Sequence, residues 1–242
     1  MCHPWLAAGA SCFVVALLIR ELSPVVGGRP SGSAEGNSGL LGASLRSWFR
    51  SRLSPLVDVL VASGIEPNLV TLTQLAVSAV CGLAYAHGWM FTAGWILIAA
   101  GTLDVLDGEM ARRQGRAGPR GAFFDSIVDR YGESLVFCGL AIFYRDVWVL
   151  WGVLAAWAGA FLVSYARARA ESLGVECREG LLQRPERYVI LGGTSMASAV
   201  SANLWCGGSE HQGLMATGIF VLAVLGHFTA LQRARHALQS LG

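Results

Sequence analysis

The 242-residue sequence predicts an all-α integral membrane protein, with six transmembrane helices preceded by a juxtamembrane amphipathic helix. Three observations carry this reading. The first is composition: 54% of the residues are hydrophobic and 14% charged, and the mean hydropathy is +0.51. An ordinary soluble domain is about 25% charged. The second is a series of six apolar stretches, near residues 69–87, 90–110, 121–144, 147–169, 187–206 and 213–232. Each approaches the roughly 20 residues needed to cross a bilayer core. The third is the placement of charge. The chain has no Lys, its 18 basic residues are all Arg, and the net charge is only +2, so position matters more than total.

Taken in order, residues 5–19 form an apolar run that is short for a span and lacks the charged leader of a signal peptide. An interfacial anchor, a short extra span and a misassigned start all remain open for it. Residues 24–43 are rich in Gly, Ser and Pro and read as a linker. Residues 1–43 are therefore set apart from a membrane domain over 44–242. Across residues 44–62, Leu45, Trp48, Phe49, Leu53, Leu56, Val57 and Leu60 recur at three- and four-residue steps, with Arg46 and Arg50 off the stripe. Such a helix suits a membrane surface, and packing against another protein element is the alternative.

The loops between the six stretches alternate. Arg46, Arg50 and Arg52 precede the first, Arg112, Arg113, Arg116 and Arg120 lie between two and three, and Arg167, Arg169, Arg178, Arg184 and Arg187 surround the join of four and five. Arg233 and Arg235 follow the sixth, whereas the opposite loops hold a single Arg, Arg145. The positive-inside rule places both ends of the core and every Arg-rich loop in the cytoplasm, in a multi-pass protein of the cell membrane. No nucleic-acid partner is expected. The six Cys are widely spaced without a CxxC pair and the five His are scattered, which argues against a zinc site or a disulfide framework.

Residues 104–129 carry the chemistry. Asp104, Asp107, Gly108 and Ala111 are spaced i, i+3, i+4, i+7 and share one helix face. Gly121, Asp125 and Asp129 step by four along the next helix, and an Arg- and Gly-rich loop joins the two. Antiparallel helices can aim these faces at each other, making a carboxylate box that opens to the cytoplasm. Four acids in a membrane segment need a strong counter-charge. Hard oxygen ligands favour Mg²⁺, Mn²⁺ or Ca²⁺, and two such ions clamp a phosphoryl displacement. Gly108, Ala111 and Gly121 remove bulk where a ligand approaches, and Arg112 can pair with phosphate oxygens. This suits a diphosphate substrate, and the depth of the site suggests a lipid tail. Solvated helix caps or the cation path of a transporter are the competing readings. A transporter requires polar residues along several spans at midplane, whereas these acids gather at one end.

The pattern D-x2-D-G-x2-A-R-x8-G-x3-D-x3-D, complete in residues 104–129, closely resembles the signature of the CDP-alcohol phosphotransferases. The likeness extends over about residues 44–235. It implies transfer of a substituted phosphate from a CDP-linked donor, usually CDP-diacylglycerol, to an alcohol, with release of CMP, in phospholipid biosynthesis. By position it implies that Asp104, Asp107 and Asp125 bind a first Mg²⁺ (Mn²⁺ possible) and Asp104, Asp125 and Asp129 a second. Asp129 would also be the general base for the acceptor hydroxyl. Gly108 and Arg112 would contact the CDP group. Pro67-Asn68-Leu-Val-Thr71 matches a motif often found in the family, so Asn68 and Thr71 would touch the nucleotide or diphosphate. Without the family, Pro-Asn before an apolar run is simply a helix start. Homodimers are common in the family.

Residues 164–171 and 180–187 resemble the phosphatidylinositol-phosphate synthase type, whose acceptor is an inositol phosphate. An acceptor with its own phosphate needs Arg beyond those serving the donor. Arg167, Arg184 and Arg187 are the candidates, although Arg in these loops also satisfies the positive-inside rule. Glycerol 3-phosphate needs a similar pocket and stays open as acceptor. The type is expected to place a hydroxyl residue in the loop before the third span, where this chain has Gly118 beside Pro119.

Overall fold

The computed structural model describes residues 42–177, 180–204 and 211–241. Among them are seven helices and no strand: α1 Gly42–Ala62, α2 Pro67–Ala86, α3 Met90–Arg113, α4 Pro119–Phe143, α5 Val149–Ser172, α6 Arg184–Leu204 and α7 His211–Leu241. The apolar run at 5–19, the linker up to residue 41 and the bare loop at Cys206 lie outside the described residues. α2, α3, α5 and the Gly213–Leu241 part of α7 are long and apolar enough to cross a membrane. α4, with charges from Arg120 to Glu133, and α6, with Arg184, Glu186 and Arg187 in its first turn, fall outside that group.

Local sequence sets the helix ends. Pro67 and Pro119 open α2 and α4, where a missing N–H costs nothing. α3 closes on Gly115, whose φ of +65° is a left-handed conformation that disfavours side chains, and Arg116 N–H reaches back to Ala111 O at 2.9 Å. That reversal brings the chain straight into α4, antiparallel to α3.

Small residues let the helices meet. A Cβ on Gly82 of α2 or Gly139 of α4 would collide with backbone of the facing helix, and one on Gly132 would lie 3.0 Å from Ser78 Oγ. Gly94 of α3 approaches Gly192 O and Met196 of α6, and Gly159 of α5 lies against Gly226 of α7. In lipid, where burial of apolar surface drives little, such close backbone packing holds helices together. The main core gathers Cys81, Tyr85, Leu97, Phe137, Leu140, Val153, Ile219 and Leu222.

The stripe of α1 packs on protein, the alternative role read for it. Val57, with Leu53 and Leu60, packs against Val70, Leu103, Leu106 and Met110, while Leu56 and Val59 stay exposed. Asp58 is ion-paired with Arg113 at the end of α3. Cys81 and Cys177 are buried and Cys138 exposed, all as free thiols.

Candidate active site

The site forms where α2 and α4 begin and α3 ends. Asp104 and Asp107 project from the last turns of α3, and Asp125 and Asp129 from the first turns of α4. One carboxylate oxygen from each of Asp104, Asp107 and Asp125 lies within 4.8 Å of the other two. Asp107 is buried and accepts a 2.7 Å hydrogen bond from Thr71 Oγ1. Asp125 Oδ1 is buried with no hydrogen-bond partner. Three clustered carboxylates with an orphaned buried oxygen leave uncompensated negative charge, which a hard divalent cation with oxygen ligands would satisfy. The donor set therefore fits Mg²⁺ or Mn²⁺.

Asp129 stands beside this triad. It pairs with Arg184 and receives Gln74 Nε2 at 3.5 Å. Arg184 also donates from Nη1 to Asp104 Oδ1 at 2.6 Å, and its guanidinium lies 5.4 Å from the Tyr188 ring centroid. Arg184 is thus a counter-charge on two of the four acids, rather than a group turned towards a separate pocket. One helical turn below Asp129, the buried Glu133 accepts from Arg187 Nε at 2.7 Å and from Arg130 Nη1 at 3.3 Å. Arg130 also donates to Ser164 of α5. Arg187 is buried, and its Nη2 has no partner. Arg167 is about half exposed and pairs with Glu171 on its own helix at 2.8 Å.

On the other side of the triad a cavity of about 810 Å³ opens, lined by Asn68, Thr71, Asp107, Gly108, Ala111, Arg112, Gly118, Gly121 and Asp125 among others. A Cβ on Gly121 would meet nothing within 4 Å, so the missing side chain is room in this cavity. Arg112 is largely exposed and held by Glu109 at 2.7 Å. Each donor-side residue read from the sequence therefore lines one space. At the opposite ends of the helices a smaller cavity of about 360 Å³ is lined by Trp89, Phe143, Tyr144 and Ser198 and has no acid.

Gln74, Arg130 and Glu133 escaped the sequence reading. A signal for each existed. Gln74 and Ser78 follow Thr71 at i+3 and i+7 in an otherwise apolar span, and Glu133 continues the four-residue step of Gly121, Asp125 and Asp129. An ionisable residue in a membrane segment is a functional candidate by default.

Residues 65–225 match the CDP-alcohol phosphatidyltransferase family. The chain belongs to that family. This CDP-alcohol phosphatidyltransferase is 36% identical over 196 residues to the archaetidylinositol phosphate synthase of Methanothermobacter thermautotrophicus, covering 81% of this chain and 93% of that protein. It is 29% identical over 195 residues to the phosphatidylinositol phosphate synthase of Cutibacterium acnes, covering 78% and 93%. Its fold resembles the crystal structure of Mycobacterium tuberculosis phosphatidylinositol phosphate synthase with CDP-DAG bound, at a TM-score of 0.67 and 28% identity over 76% of this chain and 92% of that one. The same mycobacterial enzyme in complex with manganese and citrate also aligns at a TM-score of 0.67, with 27% identity over 76% of this chain and 88% of that one.

Proposed function

We propose that the protein transfers a phosphatidyl group from CDP-diacylglycerol to an inositol phosphate and releases CMP. The observation that carries this is the continuity of the carboxylate cluster with the 810 Å³ cavity on one side and a buried, under-bonded guanidinium, Arg187, on the other. The donor's diphosphate fits the cavity mouth, where Asn68, Thr71, Gly108, Arg112 and the backbone at Gly118 meet the CDP group. Bound at Asp104, Asp107, Asp125 and Asp129, two Mg²⁺ or Mn²⁺ ions would neutralise the diphosphate and the departing phosphate.

The rest of the step falls to the chain. The acceptor hydroxyl oxygen bonds to the phosphorus that carries diacylglycerol, the bond from that phosphorus to CMP breaks, and CMP leaves with the electron pair. The hydroxyl proton passes to Asp129, which lies towards the arginine side of the cluster, where the acceptor enters. Arg187 receives the acceptor phosphate, with Arg167 further out, while Arg184 stays on Asp104 and Asp129. The relatives from Methanothermobacter and Cutibacterium, both inositol phosphate synthases, favour inositol phosphate over glycerol 3-phosphate.

The same reading has six spans with the site at the cytoplasmic surface. α4 exposes Phe123, Ile127, Tyr131, Leu135 and Ile142 along one face while its acids turn inward, as expected of a helix facing lipid despite its charges. α1 then lies at the cytoplasmic interface, a homodimer is the expected assembly, and a phosphatidyltransferase takes the place of the cation transporter considered above.

The test is CMP release in detergent, with CDP-diacylglycerol, Mg²⁺ or Mn²⁺, and a panel of inositol phosphate, inositol, glycerol 3-phosphate and serine. Release is expected with inositol phosphate and not after chelation of the metal. Faster release with glycerol 3-phosphate would replace the acceptor, and metal-independent release would sink the mechanism.

A further inference from the structure

α2 presents one polar face within an apolar helix. Thr71, Gln74 and Ser78 lie at i, i+3 and i+7, and all three are buried. Thr71 serves Asp107 of α3. One turn on, Gln74 faces α4, where its Nε2 donates to Asp129 Oδ1 at 3.5 Å. Asp129 Oδ2 is ion-paired with Arg184. The carboxylate thus has a cation on one oxygen and an amide N–H on the other. Each carboxylate oxygen accepts more than one hydrogen bond, so a lone pair remains for the proton of an incoming hydroxyl.

Gln74 is an unfavourable choice for packing alone. Its side chain is 0% exposed, and its Oε1 has no hydrogen-bond partner. A buried acceptor left unmet is destabilising, and an apolar side chain of the same length would relieve it. Unmet buried groups in folded proteins point to functional sites. Among the described residues, the Gln74 amide hydrogen-bonds to Asp129 alone. The facing helix makes room for it. Gly132 lies three residues past Asp129, and a Cβ there would be 3.0 Å from Ser78 Oγ and 3.9 Å from Gln74 Nε2. Without that side chain α4 lies close on α2 at this turn, and Asp129 stays within the amide's reach. The bond is long, as hydrogen bonds in catalytic sites often are before substrate tightens them.

We propose that Gln74 is a positioning residue for Asp129: its amide N–H holds one carboxylate oxygen from the α2 side while Arg184 holds the other, which fixes the direction in which the base meets the acceptor hydroxyl. The proposal rests on the reading of Asp129 as the general base.

Steady-state CMP release by the full chain in detergent tests it, at saturating Mg²⁺ or Mn²⁺. CDP-diacylglycerol and whichever acceptor of the panel gives the fastest release are varied in turn, and thermal melting is measured alongside. Gln74→Met keeps the length and removes the amide. It lowers kcat about tenfold, the lower end of what a supporting bond to a ligand carboxylate is worth. Both KM values stay within about twofold, and Tm does not fall. A purely structural residue behaves the other way, with a lower Tm and kcat near wild type. Ser78→Ala removes the neighbouring buried hydroxyl, which also lacks a partner, and leaves kcat within about twofold. An unchanged kcat in Gln74→Met, a rise confined to the acceptor KM, a loss of kcat that tracks a lower Tm, or an equal loss in Ser78→Ala overturns the proposal. Should Gln74→Met fail to fold, Gln74→Leu carries the test with the same outcomes. Asp129→Asn in the same assay separates the two layers. If it keeps substantial turnover, the base reading itself fails; if it abolishes release while Gln74→Met is as fast as wild type, only the role of Gln74 fails.

Discussion

The two sides of the carboxylate cluster are built by opposite means. The donor side is an open cavity shaped by what is missing: Gly108, Ala111, Gly118 and Gly121 leave room, and the one nearby Arg assigned to the donor, Arg112, is largely exposed. The acceptor side is filled and dry. Arg184, Arg187 and Glu133 are buried there, and their bonds link α3, α4 and α6, with Arg130 extending the network to α5 through Ser164. The difference suits the ligands proposed for the two sides. A nucleotide with a lipid tail needs a space that admits bulk, whereas a small phosphorylated alcohol needs fixed cations that a desolvated anion can find already aimed.

The largest effect is expected where the sides meet. Asp129→Asn removes the proposed base and a charge of the metal set together, and CMP release should fall by about 10³-fold or more with every acceptor. Substantial turnover would move the base elsewhere, and the functional division of the site with it. Thr71→Val comes next. It deletes the 2.7 Å hydrogen bond that orients Asp107 and leaves the carboxylate's distance from the cation set unconstrained. Losing such a supporting bond weakens metal binding by about 10–100-fold in known sites. Mn²⁺ titration followed by electron paramagnetic resonance reads this directly. Unchanged affinity would mean that Asp107 is oriented by the fold alone.

The same division explains what the sequence discloses. The donor side comes largely from one stretch of chain, residues 104–125, in which helical periodicity and short-range spacing suffice to bring Asp104, Asp107, Gly108 and Asp125 together, with Asn68 and Thr71 added from α2. α1 and the helical stretches were legible for the same reason, because 3.6-residue periodicity and hydropathy are local properties. The acceptor side comes from tertiary contact. Arg187 and Glu133 are 54 residues apart, and Arg184 and Asp104 are 80 apart. Sequence placed Arg184 and Arg187 in the right neighbourhood through loop charge, but nothing local reveals that Arg184 sits on Asp104 and Asp129, or that Arg46 pairs with Glu186 of α6. The glycine contacts between α2 and α4 and between α5 and α7 were equally silent, since a small residue in an apolar helix does not say which helix it will meet.

The acceptor side itself predicts a graded response. Arg187→Ala removes a buried cation and leaves Glu133 to Arg130 alone, so the KM for a phosphorylated acceptor should rise at least about tenfold while the donor KM moves little. With unphosphorylated inositol the same substitution should have a smaller effect, because no phosphate is there to lose its partner. Equal effects on donor and acceptor would show that the arginine network only holds the fold. Arg167→Ala marks the lower end of the series. Its side chain is about half exposed and spends its charge on Glu171 one turn along α5, an arrangement worth only a few tenths of a kcal/mol in water. Removing it should shift the acceptor KM by no more than about twofold, and added salt should erase even that, since an exposed charge is screened where the buried Arg187 is not. A shift as large as that of Arg187→Ala would mean that Arg167 turns inward when the acceptor arrives and joins the dry network of α4 and α6.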